Sequence, residues 1–117
     1  MALMKDELDR LNALACWDFE IERAGDGTLL ILGSNDFDYY HDVEIEFHGV
    51  TFCDLPQTFS HAEFLLSPSA CVDDDTDPKT VYVYGTSMID MRKEFSLRAS
   101  TVEVRERTVL YRPVSPS

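Results

Sequence analysis

Residues 17–32, WDFEIERAGDGTLLIL, decide the fold of this chain. From Trp17 to Ile21, apolar side chains alternate with acidic ones, which is the period of a strand with one buried and one solvated face. Asp26 and Gly27 separate this run from a second apolar one, and an Asp-Gly pair in this context is a strong signal for a β-hairpin turn. The stretch therefore predicts two antiparallel strands joined by a tight turn.

The segments on either side of the hairpin extend this pattern. Leucines and a methionine near one face predict a helix over residues 3–14. Downstream, the alternation over residues 43–47 predicts a third strand. Gly49 then leads into residues 50–53, which predict either a tight hairpin or a bulge within one bent strand.

The second half of the chain predicts further strands and one long loop. Residues 59–66 are apolar with a poor period, and residues 81–84 are β-branched and aromatic, so both are assigned to strands. Residues 67–80 combine prolines with a run of aspartates and predict an exposed loop. In the last third, the alternation changes parity near Ser100 and Arg107, which indicates a bulge or short turn at each place.

These elements predict an α+β fold, in which an N-terminal helix packs on a mainly antiparallel, strongly curved sheet or small sandwich of seven to eight strands. Residues 1–112 are expected to form a single compact domain and residues 113–117 a flexible tail. Strands and helices do not alternate, which disfavours a parallel nucleotide-binding sheet. One core is predicted from Leu8 and Leu11 of the helix together with Trp17, Phe19, Ile21, Leu30, Leu32, Val43, Ile45 and Phe47.

The charge balance restricts the class of partner. The 117 residues include 22 acidic and 10 basic ones, a formal net charge of −12. Nucleic acids and anionic membrane surfaces attract proteins largely through basic side chains, so neither is an expected partner. The acidic excess lies in residues 1–91, whereas residues 92–117 are basic on balance and are expected to pair with acidic strands.

The N-terminal residues and the cysteines indicate a cytoplasmic protein. Charged residues occur within the first ten positions, without the uncharged apolar run of a secretory signal, and no run of about 18 apolar residues predicts a membrane span. Cys16, Cys53 and Cys71 match no metal-binding spacing and cannot all pair, so three free thiols are expected. No cofactor and no metal are expected.

The densest group of polar and aromatic residues is SNDFDYYHD, residues 34–42, between two predicted strands. A loop held by rigid strands is a common place for functional residues. Tyrosines are enriched at the centre of protein interfaces, and carboxylates around them would meet a basic partner. The predicted partner-binding residues are Asp36, Asp38, Tyr39, Tyr40 and His41, with Glu44 and Glu46 of the next strand at the rim.

Other interpretations of these residues stay open. Asp36, Asp38, His41 and Asp42 could offer oxygen and imidazole ligands to a divalent metal, or the loop could form local turns only. No nucleophile elbow and no metalloprotease motif occurs, so no catalytic residue is assigned. Whether the protein is an enzyme is left open, with a preference for a non-enzyme.

The sequence thus predicts a small, acidic, non-catalytic protein-binding domain, with an inhibitor or immunity-type neutraliser of a basic protein as the expected role. A first alternative is a ligand- or metal-binding domain, or an enzyme, whose site is the loop at residues 34–42. A second alternative is a structural subunit that forms an oligomer through its edge strands.

Overall fold

The computed structural model describes residues 4–14, 18–35, 40–67, 78–88 and 91–110. Within these ranges the chain forms one helix, α1 (Met4–Ala13), and eight strands. The strands are β1 (Asp18–Gly25), β2 (Thr28–Ser34), β3 (Tyr40–His48), β4 (Phe52–Asp54), β5 (Thr58–Leu66), β6 (Lys79–Thr86), β7 (Glu94–Ala99) and β8 (Thr101–Leu110).

All eight strands belong to one antiparallel sheet, in the order β4-β7-β6-β5-β1-β2-β3-β8. The predicted α+β class, with an N-terminal helix and an antiparallel sheet, is therefore confirmed. The sheet is not closed, since β4 and β8 are its edges. The strong curvature, the single domain over residues 1–112 and the tail at residues 113–117 stay predictions.

Asp26 and Gly27 form the turn between β1 and β2, as the sequence predicts. Their φ angles are 54° and 74°, and Gly25 pairs with Thr28 at the end of the ladder. Two successive residues with positive φ define a type I′ turn, whose twist matches that of the flanking strands. This local chemistry fixes the register next to the turn, from Arg23–Leu30 to Gly25–Thr28, and the register shifts once between Ile21 and Arg23.

The predicted core is only partly right for β2. Leu29 and Ile31 are buried in the core cluster. Leu30 and Leu32, which the sequence pattern assigned to that cluster, lie on the opposite face, where Leu32 is buried at 5% exposure and Leu30 is half-buried. β2 is apolar on both faces, so its own pattern cannot fix its orientation. The pairing of β2 with β3 sets this orientation, because Ile31 lies directly opposite the fully buried Ile45.

The remainder of the core lies between α1 and one face of the sheet. Leu8 and Leu11 of the helix are buried there as predicted, together with Met4, and Ile21 packs at the margin. Trp17 lies outside the described residues. The sheet contributes Phe19, Leu29, Ile31, Val43, Ile45, Phe47, Phe59, Phe64, Val81, Val83, Phe95, Leu97, Ala99, Val102 and Val104.

The segment after β3 does not pair where the sequence predicts. Residues 52–54 form β4 at the far edge of the sheet, paired with β7, so the predicted hairpin or bent strand is wrong. The cause is tertiary, because the Thr51 N–H donates to the Arg98 carbonyl at 3.0 Å and draws the chain away from β3.

Gly49 and Ser100 bring the two ends of the sheet together. Ser100 alone joins β7 to β8, as the predicted break in parity requires, and its N–H donates to the His48 carbonyl at 2.8 Å. Gly49 has a φ of 66°, and a Cβ atom there would lie 2.5 Å from Ser100 Oγ. Both conformation and space therefore require glycine at this position.

A bulge in β5 explains why its sequence has a poor period. His61 has a φ of 53°, and the register with β6 shifts between Ser60 and Glu63. An inserted residue of this kind changes the parity of the strand. As a result, Phe59 and Phe64 both reach the core although five positions separate them.

The predicted loop at residues 67–80 is described only at its ends. β6 begins at Lys79, two residues before the predicted strand at residues 81–84, so the loop prediction is too long at this end. Residues 68–77 lie outside the described residues.

The helix contacts two strands that lie far apart in the sheet order, β5 and β8. Asn12 hydrogen-bonds the backbone of Phe64 in β5, and Glu7 and Arg10 hydrogen-bond the backbone of Val104 in β8. Polar side chains of α1 therefore bind backbone groups on both sides of the core. Among the described residues, no helix is long and apolar enough to cross a membrane.

Candidate functional site

The described part of the predicted site lies on β3. Asp36, Asp38 and Tyr39 fall outside the described residues, so their predicted contacts with a partner stay predictions. Tyr40, His41, Glu44 and Glu46 are all in β3. Tyr40 is half-buried, and His41 is 5% exposed.

Arg105 of β8 connects the carboxylates of this region. Its Nε donates to Glu44 Oε1 at 3.2 Å, and its Nη1 donates to Glu46 Oε1 at 3.2 Å. The same Nη1 lies 3.2 Å from Glu103 Oε1. His48 Nε2 lies 3.3 Å from Glu46 Oε1. We call these five residues, together with His41, the charge network.

The register of β3 and β8 builds the charge network. Glu44 lies directly opposite Arg105, and Glu46 lies directly opposite Glu103, on the face of the sheet away from α1. Directly opposite side chains on one face of an antiparallel pair are neighbours, and opposite charges there are stabilising. At Arg105, the expectation that basic terminal residues pair with acidic strands is confirmed.

His41 binds Glu44 from the other side. Simple alternation along β3 would not join these two residues. In the ladder with β8, the two steps from His41 to Val43 lie opposite three steps from Glu106 to Val109, which is a bulge near Arg107, as the sequence predicts. The imidazole Nε2 lies 2.9 Å from Glu44 Oε2. This hydrogen bond, supported by Arg105 and opposed by partial burial, holds the pKa of Glu44 below its ordinary value.

Two members of the charge network, Glu44 and Arg105, are stabilised in their charged forms. Partial burial disfavours the charged form of Arg105, but its hydrogen bonds to Glu103, Glu44 and Glu46 outweigh this effect and raise its pKa. Because Glu44 has a lowered pKa, it is an acceptor and a negative charge at neutral pH. Three carboxylates and one guanidinium give a formal charge of −2 when both histidines are neutral.

Glu46, His48 and Glu103 also have the geometry of a possible metal site. Each offers one ligand atom, and the three atoms lie within 4.8 Å of one another. However, Arg105 Nη1 is 3.2 Å from both carboxylates. A divalent ion would have to compete with this guanidinium, so the arrangement favours internal ion pairs.

A shallow cavity adjoins the described ends of the predicted loop at residues 34–42. Its volume is about 290 Å³, and its lining includes Asn35, Asp42 and Thr108. Asp42 accepts a hydrogen bond from the Thr108 hydroxyl at 3.2 Å. Among the described residues, no histidine or cysteine lines this cavity.

A second surface on the same face of the sheet was not singled out by sequence reasoning. Tyr82 and Tyr84 project from β6 opposite to the buried Val81 and Val83, and their ring centroids are 6.4 Å apart. Tyr84 and the neighbouring Leu65 of β5 are each 40% exposed. We call Tyr82, Tyr84, Leu65, Glu63 and Glu94 the tyrosine surface.

The alternation that predicts β6 also contains the signal for this surface. In Val81-Tyr82-Val83-Tyr84 the β-branched residues take the core face, which leaves two tyrosines on the solvated face. The flanking carboxylates could not be found in this way, because the pairing partners of β6 are set by the tertiary fold.

Comparison with protein-family models, with curated proteins and with solved structures gave no match.

Proposed function

We propose that this protein is a non-catalytic domain that binds a basic protein, and that it acts as an inhibitor or immunity-type neutraliser of that partner. The observation that carries the proposal is the acidic excess on the face of the sheet away from α1. Two register rows across β1, β2, β3 and β8 contain four glutamates and two arginines. The rows are Glu20–Leu32–Glu44–Arg105 and Arg23–Leu30–Glu46–Glu103.

An acidic face of this kind attracts basic partners and repels acidic ones. Charged patches with one dominant sign raise association rates and suppress wrong partners. Glu103 keeps 57% of its side chain exposed although it touches Arg105, so its charge is available to a partner. The half-buried Tyr40 lies on the same strand as Glu44 and Glu46 and supports a contact centred on β3.

The residues of β3 take different parts in the proposed contact. His41 is buried and bound to Glu44, so its part is to position that carboxylate rather than to touch the partner. Glu44 binds Arg105 through Oε1 and His41 through Oε2, so its part is to supply charge at the rim. Glu46 binds Arg105 through Oε1, and a partner would meet its Oε2. Asp36, Asp38 and Tyr39 complete the proposed contact.

The experiment that tests this proposal is affinity capture from the source cell at low ionic strength. The immobilised full chain is expected to retain a basic protein that is released as the salt concentration rises. Capture should weaken with Tyr39→Ala/Tyr40→Ala, which removes two aromatic contacts of the kind that dominate interfaces. Retention of acidic proteins only, or capture that neither salt nor the tyrosine substitutions change, would contradict the proposal.

A further inference from the structure

We propose that the tyrosine surface binds an arginine side chain of the basic partner, with the guanidinium stacked on Tyr84 between the carboxylates of Glu63 and Glu94. This inference rests on the proposed function. It adds the residue type that is recognised and a second place of contact, on the half of the sheet farther from β3.

The register of the sheet places the two carboxylates on either side of one ring. Glu63 of β5 and Glu94 of β7 both lie directly opposite Tyr84 of β6. Side chains that are directly opposite in an antiparallel pair have Cβ atoms about 4.5–5.5 Å apart. A cation above the ring of Tyr84 is therefore within reach of both carboxylates.

These carboxylates differ from those of the charge network. Within the part of the chain that the structure describes, neither Glu63 nor Glu94 forms an ion pair or a side-chain hydrogen bond. On the same face, the basic Arg98 is two register rows away, opposite Thr80. Lys93 adjoins Glu94 in the chain, but no ion pair joins them. Within the described residues the negative charge beside Tyr84 is thus not held in an ion pair, whereas Arg105 binds the carboxylates on β3.

The shape of the surface favours arginine over lysine. A planar guanidinium can stack on an aromatic face and still donate hydrogen bonds from its edge to carboxylates, which a compact ammonium cannot do. Tyr82 supplies a second ring, tilted by 35° to that of Tyr84. Leu65, directly opposite Tyr82, offers apolar area for the methylene stem of the arginine.

The probe for this surface is a tetra-arginine peptide with blocked ends, titrated into the full-length protein while backbone amide NMR shifts are recorded. A tetra-lysine peptide with the same charge and blocked ends is the matched probe. Shifts are expected to concentrate on residues 63–65, 82–84 and 94–96, and the arginine peptide is expected to bind about threefold more tightly than the lysine peptide.

Three variants distinguish the contribution of aromatic stacking to peptide binding from the contribution of charge. Tyr84→Leu keeps an apolar side chain and is expected to lower the affinity for the arginine peptide about threefold, because the cation–π contact is lost. Glu63→Gln/Glu94→Gln is expected to lower the affinity for this peptide about fivefold, because two ion pairs with it are lost. Glu22→Gln/Glu106→Gln makes the same change of net charge at exposed residues outside the tyrosine surface and the two register rows, and it is expected to weaken binding of the arginine peptide less than about twofold.

Several results would overturn the inference without affecting the proposed function, which the capture experiment judges separately. Shifts that concentrate on β3 and β8 would place the arginine contact on the charge network instead. Equal affinity for the two peptides, or equal weakening by both glutamine pairs, would show general charge attraction without recognition of a guanidinium. Shifts of the same amides with protein concentration alone would identify a second copy of this chain as the occupant.

Discussion

The Asn12 side chain makes two hydrogen bonds with the Phe64 backbone that a neighbouring strand would otherwise make. Its amide nitrogen donates to the Phe64 carbonyl at 2.7 Å, and its amide oxygen accepts from the Phe64 N–H at 2.9 Å. These are the two hydrogen bonds that a strand would supply there, since the register of β1 with β5 covers only Thr58 to Ser60. The helix therefore binds β5 as well as covering the core.

Replacing Asn12 tests this relationship. Asn12→Ala should lower the free energy of unfolding by about 1–3 kcal/mol, because a half-buried N–H and carbonyl lose their partners. Asn12→Leu is the matched control for volume, since it restores side-chain size without the amide. Urea unfolding should show both variants destabilised, and a wild-type midpoint for Asn12→Leu would show that packing, not hydrogen bonding, is what Asn12 contributes.

Ile45 tests the orientation of β3. It is fully buried, and truncation to alanine should cost about 2–5 kcal/mol through lost burial and the cavity left behind. Leu65→Ala truncates a 40% exposed aliphatic residue in another strand and should cost distinctly less. In urea melts, a change below about 0.5 kcal/mol for Ile45→Ala would mean that the two faces of the strand are inverted.

Glu44 makes stability depend on pH in a defined direction. Its pKa is lowered in the folded protein, chiefly by the hydrogen bond with His41, so its contribution is present above the ordinary value of 4.5 and is lost as the pH falls through the lower folded value. At neutral pH, Glu44→Gln should cost about 1–3 kcal/mol through the lost charged hydrogen bonds.

The measurement is the difference in unfolding free energy between wild type and Glu44→Gln along a pH series. The difference should shrink as the pH falls below 4.5. Glu103→Gln removes an exposed carboxylate from the same arginine and should cost at most about 1 kcal/mol at neutral pH. A pH-independent difference for Glu44→Gln would contradict the geometry of the charge network.

The thiols provide a chemical test of the predicted reduced state. Cys53 is free, and burial around its sulfur raises the pKa of its thiol. Because the thiolate is the reactive form, Cys53 in the folded protein should react with a disulfide reagent more slowly than a small free thiol at the same pH. In denaturant, titration should count all three cysteines, and a count of one would reveal a disulfide between Cys16 and Cys71.

The sequence was most informative where local chemistry decides the structure. The positive φ angles of Asp26 and Gly27 are a property of two adjacent residues, so the turn could be predicted without knowledge of the rest. The orientation of β2 could not, because both of its faces are apolar and only the pairing of Ile31 with Ile45 selects one.

At the candidate site, too, local features could be predicted from the sequence and tertiary contacts could not. The acidic face of β3 follows from alternation, and a basic partner strand could be expected from the charge of the last residues. The identity of Arg105 as the group between Glu44 and Glu46 depends on a register between strands that are far apart in sequence. The bond between His41 and Glu44 joins two residues three positions apart on one strand, which the alternation of the sequence does not reveal.

The most direct test of the central claim is the rate at which this protein associates with its captured basic partner, measured by stopped flow over a range of ionic strength. If the acidic face attracts the partner, the association rate constant should fall by about tenfold or more from low to physiological salt. Glu20→Gln/Glu103→Gln should lower it at low salt and flatten its salt dependence. An association rate constant that is the same at all ionic strengths, and the same for the wild type and for Glu20→Gln/Glu103→Gln, would contradict the account.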